Sequence, residues 1–430
     1  MSRVGVVGAG YVGLTTSACL AHLGHDVVIG DIDVDKVRNL SKAEVGVLEE
    51  GLPELVADGL ATRRLRFVVG AAEAGAGAEF VFLCVPTPEG PDGDADLSAV
   101  ESVVGELAPT LRPGAVVVNK STMPVGSTVQ VARLLRDAGA VPEVGVAANP
   151  EFLREGTAVR DFLQPYRVVI GADDPTVAVR VSDLYRDVQA PVLVTGAASA
   201  EMIKYASNAF LAARVSFVNA IANLCEAVNA DVREVTLGMG YDPRIGFEFL
   251  HPGPGWGGSC LPKDTAALAW TAGRAGEEFP LLAAVIATNA AQSERVVGKV
   301  RDAVGGSLAG HQVAVWGLTF KANTNDLRDS PAIAVVRRLL ADGAAVRAYD
   351  PAGGEAASEL VPGLEVVADP YDACADAEVL CLLTEWDEFR WLDYSRVAGL
   401  VAARAIVDAR NLLDPAAMRH LGFAYRGIGR

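Results

Sequence analysis

The sequence predicts an α/β fold: two doubly wound domains joined by a helical middle that contains one long central helix. Three observations carry this. The chain opens on an apolar strand, a glycine turn and a helix; a strand, helix and strand return near His311; and between them more than thirty positions from Ser199 run without Gly or Pro. A chain of 430 residues, 51% of them hydrophobic, is long enough for two or three domains at roughly 150 residues each. The expected division is 1–198, 199–300 and 301–430.

The opening "VGVVGAGYVG" sets a strand at Val4 to Val7 ahead of Gly8, Ala9, Gly10, Tyr11, Val12 and Gly13, a GxGxxG run entering a helix. "HLGHDVVIGDID" turns at Gly24, continues as a strand through Val27 to Ile29, and brings in Asp31 eighteen residues after Gly13. A dinucleotide site needs these parts in this order. Gly8 makes the tight turn, Gly10 lets a pyrophosphate approach backbone, Gly13 lets helix and strand pack closely, and the acid meets a ribose hydroxyl. Strand, helix and acid together weigh against the plainer reading, a glycine-rich turn in an ordinary α/β unit.

"FVFLCVPTP" from Phe80 is a continuous apolar strand of the doubly buried kind, and "AVVVNKSTMPVGS", "VGVAANPEF" and "YRVVIGA" repeat the plan. A parallel sheet is expected. Thr87, Ser121, Thr122, Asn149 and Glu151 fall just beyond these strands, where such a sheet opens its ligand crevice; each taken singly would read as a helix cap.

The run "SAEMIKYASNAFLAARVSFVNAIANLCEAVNA" reads as a long buried helix, a spine between domains or a subunit interface. Lys204 and Asn208 lie four apart and share a face, which is either a functional pair or a solvated polar stripe. From His311, "HQVAVWGLTFKANTNDLRDSPAIAVVRRLLADGAAVRAYDP" gives strand, loop, helix, a turn at Gly343, strand and Asp350. It lacks GxGxxG, so a nucleotide here would need a different phosphate loop.

The formal net charge of −17 comes from dispersed acids with no basic block, which argues against nucleic acid as a partner. No uninterrupted apolar run approaches the roughly 18 residues of a membrane span, and "MSRVGVVGAG" starts a strand at once, so the expectation is a cytosolic chain with no membrane partner. Cys19, Cys84, Cys225, Cys260, Cys374 and Cys381 form no CxxC pair, which predicts neither a disulfide framework nor a metal site.

"GPGWGGSCLPKD" sets glycines ahead of Cys260, and Pro262 suits the first turn of the helix that follows. A helix N-terminus with Lys204 or Lys263 nearby would favour the thiolate, and the glycines would let substrate approach backbone. Buried packing is the default for the other five cysteines. A thiolate beside a nicotinamide site can add to an aldehyde, and oxidation of the adduct gives a thioester that water cleaves to a carboxylate.

The chain resembles the UDP-glucose/GDP-mannose dehydrogenase family from Val4 to about Arg410. The resemblance rests on "GAGYVGL", "VPTP", "KSTMPVGS", "NPEFLREGTA", "EMIKYASNAFLA", "DPRIG", "GPGWGGSCLPKD", "GLTFKANTNDLRDSPA" and "DARN". It implies two successive NAD-dependent oxidations of a nucleotide-sugar primary alcohol to a uronic acid, on two Rossmann-like domains. Cys260 would be the nucleophile, Lys204 and Asn208 would stabilise oxyanions, Glu151 would be the general acid/base, and Asp264 and Thr122 would hold the water. Tyr11, Val12, Asp31, Lys36, Thr87, Thr122, Glu155 and Arg328 would line the cofactor. Phe152, Leu153, Arg154, Phe249, Gly257, Phe320, Lys321 and Arg410 would hold the nucleotide sugar, and Arg244 would reach it from a neighbouring subunit of a homodimer. "NPEFLREG" points to the glucose branch with UDP-glucose as first expectation. dTDP-glucose, GDP-mannose and, from another class, a non-catalytic nucleotide-sugar sensor stay open. A one-step hydroxyacid dehydrogenase would leave Cys260 without a role.

Overall fold

Each apolar run read as a strand forms one, and the computed structural model, which describes residues 1–430, adds strands that the pattern hides. The first sheet contains β1 (Arg3–Val7), β2 (Asp26–Asp31), β3 (Leu65–Val69), β4 (Phe80–Leu83), β5 (Val116–Asn119), β6 (Gly145–Ala148), β7 (Val168–Gly171) and β8 (Val192–Thr195). Its order is β3-β2-β1-β4-β5-β6-β7-β8. In register, Arg3 lies opposite Asp26 and Val4 opposite Phe80, both pairs parallel.

The sheet is not parallel throughout. β7 meets β6 antiparallel at Ala148 and Gly171, and β8 runs parallel to β7. A parallel neighbour requires a full crossover. The segment after β6 instead seats Phe162 of its short helix Ala158–Leu163 in the same apolar layer as Val4 and Leu14, and returns in the opposite sense.

The second sheet is parallel at every pairing: β9 (Gln312–Trp316), β10 (Ala345–Tyr349), β11 (Glu365–Val366), β12 (Val379–Leu382), β13 (Ala405–Asp408) and β14 (Ala424–Arg426), in the order β11-β10-β9-β12-β13-β14. Both sheets reverse direction beside their first strand, between β1 and β4 and between β9 and β12. Such a switch point opens a crevice at the carboxyl ends.

The continuous apolar runs follow from helices covering both faces of each sheet. Val4, Val6, Phe80, Phe82, Val116 and Val118 face one layer, while Val7, Val81, Leu83 and Val117 face the other. In the second sheet Val313, Val315, Val379 and Cys381 oppose Ala314, Trp316, Leu380 and Leu382. Period-2 alternation then chooses between two apolar surroundings, so it leaves no polar signature.

The central helix runs Ala197–Val228. By compactness the chain divides into Met1–Ser207 with Ala266–Glu277, and Asn208–Thr265 with Glu278–Arg430, so the cut falls inside this helix. By length and composition the helix could cross a membrane, although no uninterrupted apolar run reaches that length. Several of its buried polar groups nevertheless find partners in the protein, although the buried Asn219 side-chain nitrogen has none. Glu201 accepts from the Gly126 and Thr128 N–H groups at 2.6 and 2.7 Å, and Ser216 accepts from the Trp256 indole at 2.9 Å.

Candidate active site

In the first unit the glycine loop closes the end of β1. Gly8 adopts φ +98° and donates its N–H to Gly30 at 2.8 Å. A Cβ on Gly8 would strike the Cys84 carbonyl, and one on Gly13 would strike Gly8 itself. Gly10 differs: a Cβ there would meet nothing within 4 Å. Two glycines are thus demanded by packing, and the third faces space at the start of the helix Tyr11–His22, where backbone N–H groups can take a pyrophosphate.

Asp31 ends β2 and accepts from Ala9 N–H at 2.8 Å, Asp33 N–H at 3.0 Å and the Lys36 ammonium at 3.2 Å. Burial works to raise its pKa, but those two N–H groups and Lys36 outweigh it, and the carboxyl stays below its ordinary value. Thr87 donates to the Thr122 carbonyl at 2.8 Å, so both sit buried together beyond β4 and β5. The residues present therefore fit a dinucleotide.

Beyond β6, Glu151 turns back into the protein. Its Oε1 receives the Lys204 ammonium at 2.6 Å and its Oε2 the Leu153 N–H at 2.6 Å, and both charged side chains are 4% exposed. Burial acts to raise the Glu151 pKa; the Lys204 charge and hydrogen bond, the Leu153 N–H and the Lys120 charge overcome it and hold the group ionised. Phe152 lies under the Arg167 guanidinium at 3.6 Å, and Arg154 pairs with Asp161 at 2.6 Å. Leu153 packs on the adjoining apolar layer and Glu155 is half-buried.

In the second unit Cys260 immediately precedes the helix Leu261–Arg274, and its carbonyl accepts the Asp264 N–H at 3.0 Å, the first bond of that helix. The Ser259 hydroxyl lies 3.6 Å from Sγ. Asp264, 1% exposed, receives the Asn208 amide at 2.6 Å and the Lys263 ammonium at 2.5 Å. Lys263 is thus occupied by the carboxylate next to it. Cys260 is half-buried, whereas Cys19, Cys84, Cys225, Cys374 and Cys381 are buried and none of the six forms a disulfide. Burial pushes the Cys19, Cys84 and Cys374 thiols up to about 12.

Three of the glycines ahead of Cys260 are also required by packing within the protein. A Cβ on Gly257 would collide with the Asp329 carbonyl, one on Gly258 would sit 2.7 Å from the Phe320 ring, and one on Gly255 would sit 2.8 Å from Asn289 Oδ1. At these three positions the protein itself leaves no room for a side chain. The loop backbone is also stapled by side-chain amides: Asn219 accepts from Gly253 N–H at 2.8 Å, Gln292 donates to Gly253 carbonyl at 2.9 Å, and Asn289 bonds Trp256 N–H and carbonyl at 2.8 and 2.9 Å. No motif spacing announces these three amides, which come from two distant helices.

Phe320 and Arg410 stand at the carboxyl ends of β9 and β13. Arg410 bonds the Leu383 and Phe320 carbonyls at 2.8 and 2.9 Å, and the Lys321 ammonium lies 5.4 Å from the Phe320 ring centre. Asp350, at the end of β10, takes the N–H groups of Leu318 and Thr319 at 2.6 and 3.1 Å. Those are the donors that a phosphate would use after β9, and Asp350 already occupies them. Arg328 and Arg244 are exposed and pair with Asp326 and Asp242, each at 2.6 Å. Phe249 holds a φ of +59°, a strained setting for an aromatic residue that fits a functional loop.

Glu49 is a link that sequence reading misses. Its carboxylate accepts from the Tyr11 hydroxyl and, at 2.7 Å, from Gly156 N–H, tying the first residue of the dinucleotide helix to the turn after Glu151. Burial and the Glu49 carboxylate push the Tyr11 phenol well up.

Three models of one family match the chain: the NAD binding domain of the UDP-glucose/GDP-mannose dehydrogenase family over residues 2–189, its central domain over 198–291 and its UDP binding domain over 314–415. A UDP-glucose 6-dehydrogenase of Rhizobium meliloti (strain 1021) is 45% identical over 434 residues, spanning 100% of this chain and 99% of its own. UDP-glucose 6-dehydrogenase TuaD of Bacillus subtilis (strain 168) is 41% identical over 100% of this chain and 94% of its own. The solved UDP-glucose dehydrogenase of Pyrobaculum islandicum superposes with a TM-score of 0.93 at 37% identity, over 100% of this chain and 98% of that one.

Proposed function

The chain belongs to the UDP-glucose/GDP-mannose dehydrogenase family, and from that premise we propose that it oxidises the C6 alcohol of UDP-glucose to the carboxylate in two NAD-dependent steps. The observation that carries the chemistry is Cys260, a half-buried thiol at a helix start beside the buried Asn208–Asp264 pair. Bound NAD supplies hydride acceptance in both oxidations.

The chain's residues do the rest. Cys260 Sγ adds to the aldehyde carbon, and the oxygen that becomes an oxyanion is stabilised by Lys204 and Asn208, one turn apart on the continuous helix. Asp264 orients the Asn208 amide toward that role, and by the family resemblance Asp264 and Thr122 are assigned to the proton-carrying water. In hydrolysis, Glu151 takes a proton from water as its oxygen attacks the thioester carbon; the C–S bond breaks, the sulfur regains a proton, and the acid leaves. Supplying UDP-, dTDP- and GDP-sugars tests the assignment. UDP-glucose is expected to give the highest kcat/KM, with two NADH per sugar; a stoichiometry of one would refute the double oxidation.

Asp31 is assigned to the adenosine ribose, where its carboxylate accepts a 2′-hydroxyl and repels a 2′-phosphate. The kcat/KM with NADP is expected about 100-fold or more below that with NAD. Steady-state kinetics with both cofactors check it, and equal values would place the acid elsewhere.

The assembly is assigned as a homodimer built on the central helix. Phe210, Phe217 and Leu224 recur every seven residues on one helix face and are 64%, 53% and 56% exposed, an apolar stripe that a second copy would cover. Arg244 is assigned to the partner's substrate site by the family resemblance of "DPRIG". Mixing Arg244→Ala with Cys260→Ala under subunit exchange is expected to restore activity, since each mixed dimer holds one intact site. No recovery despite proven exchange would put Arg244 in its own subunit's site.

A further inference from the structure

Lys120 follows β5 in the first unit and is 4% exposed, yet it forms no ion pair. Its ammonium donates to Asn149 Oδ1 at 3.1 Å and to the Tyr185 hydroxyl at 3.4 Å, and lies 5.7 Å from the ring centres of both Phe162 and Tyr185. The Tyr185 hydroxyl donates to the same Asn149 oxygen at 2.5 Å, and the Asn149 amide donates to the Val169 carbonyl at 2.8 Å. A buried cation among neutral partners is costly, and an apolar side chain of similar length would fill the space at less cost. Packing therefore does not account for it. Two residues beyond Asn149 stands Glu151, the carboxylate on which Lys120 acts electrostatically.

We propose that Lys120 is a positioning residue of the oxidation: it clamps Asn149, thereby fixing the backbone that presents Glu151, and supplies Glu151 with a second buried positive charge besides that of Lys204. This rests on the reading of Glu151 as the general acid/base. Burial lowers the Lys120 pKa to about 8; Cys84 and Glu151 raise it, Lys204 lowers it and Cys19 raises it. With Tyr185, these are the titratable groups that face it from the surrounding elements. Removing the Lys120 charge leaves Glu151 less favoured as an anion, so the Glu151 pKa rises and the acid limb of activity moves to higher pH.

The test compares Lys120→Met, Lys120→Arg, Tyr185→Phe and Glu151→Gln in the full-length enzyme, reading kcat and KM for UDP-glucose across pH together with thermal stability. Lys120→Met is expected to lower kcat at least 10-fold with KM changed by less than about threefold, and to shift the acid limb up by about one pH unit. Lys120→Arg should return the limb toward its original position. Tyr185→Phe removes an acceptor from the ammonium, so proton loss from Lys120 becomes easier and the alkaline limb is expected to move down; this variant decides the matter if Lys120→Met does not fold. Limbs unmoved in these variants, with activity falling only as stability falls, would overturn the proposal and leave Lys120 a packing residue. If Glu151→Gln abolishes the acid limb while Lys120→Met leaves it in place, the Lys120 role fails and the Glu151 reading survives. If Glu151→Gln itself leaves the profile intact, both fail.

Discussion

Cys260→Ala is expected to form no detectable uronic acid, a loss of about 10⁴-fold or more, because the second oxidation then has no covalent adduct to act on. The first oxidation does not use the thiol. Substrate turnover should therefore stop at the aldehyde, with at most one NADH per sugar. Chromatography of the nucleotide sugars alongside NADH absorbance reads both quantities. Folding should be little affected, since the half-buried thiol is replaced by a smaller group at a loop whose backbone is held by Asn219, Asn289 and Gln292. Uronate at near wild-type rate would sink the covalent mechanism.

Lys204→Met is the second large effect. The substitution keeps the side-chain length, removes the proposed oxyanion donor and leaves the Glu151 carboxylate buried without its closest cation. A fall in kcat of about 10² to 10³-fold is expected from the lost donor. Breaking a buried pair by removing one partner also costs about 3–5 kcal/mol of stability. The pH dependence has a definite sign. In the native protein the Glu151 pKa is depressed, so the pair's contribution is present above the ordinary carboxylate range and is lost as pH falls through the lowered value. Without Lys204 that pKa rises, so the residual activity should lose its acid side at higher pH. A Lys204→Met enzyme with wild-type kcat and an unshifted profile would remove Lys204 from the chemistry.

The dinucleotide loop was legible because its function depends on local backbone. Gly8 and Gly13 are required by contacts within one strand–turn–helix unit, and Asp31 reaches the same turn through the Ala9 N–H. The cysteine loop stood out in the sequence by its glycines, but the packing that requires them did not. Its glycines answer to Phe320, Asp329 and Asn289, residues far along the chain that carry no mark of what they touch. Lys120 lies within the motif "KSTMPVGS" but nothing in the sequence marks it as buried, since a lysine after a strand ordinarily reaches solvent. Glu49 belongs to no motif at all.

The sequence by itself determined the two sheets, the long helix between them, the phosphate-ready turn and the thiol at a helix start, since apolar periodicity, turn chemistry and capping act over a few residues. Only the tertiary structure decided that Glu151 meets Lys204 across 53 positions, that β7 reverses against β6, and that three distant amides hold the glycine loop. Those outcomes depend on which surfaces pack together. A buried polar group must find its partner wherever the packed chain brings one, and its spacing along the sequence carries no information about where that will be.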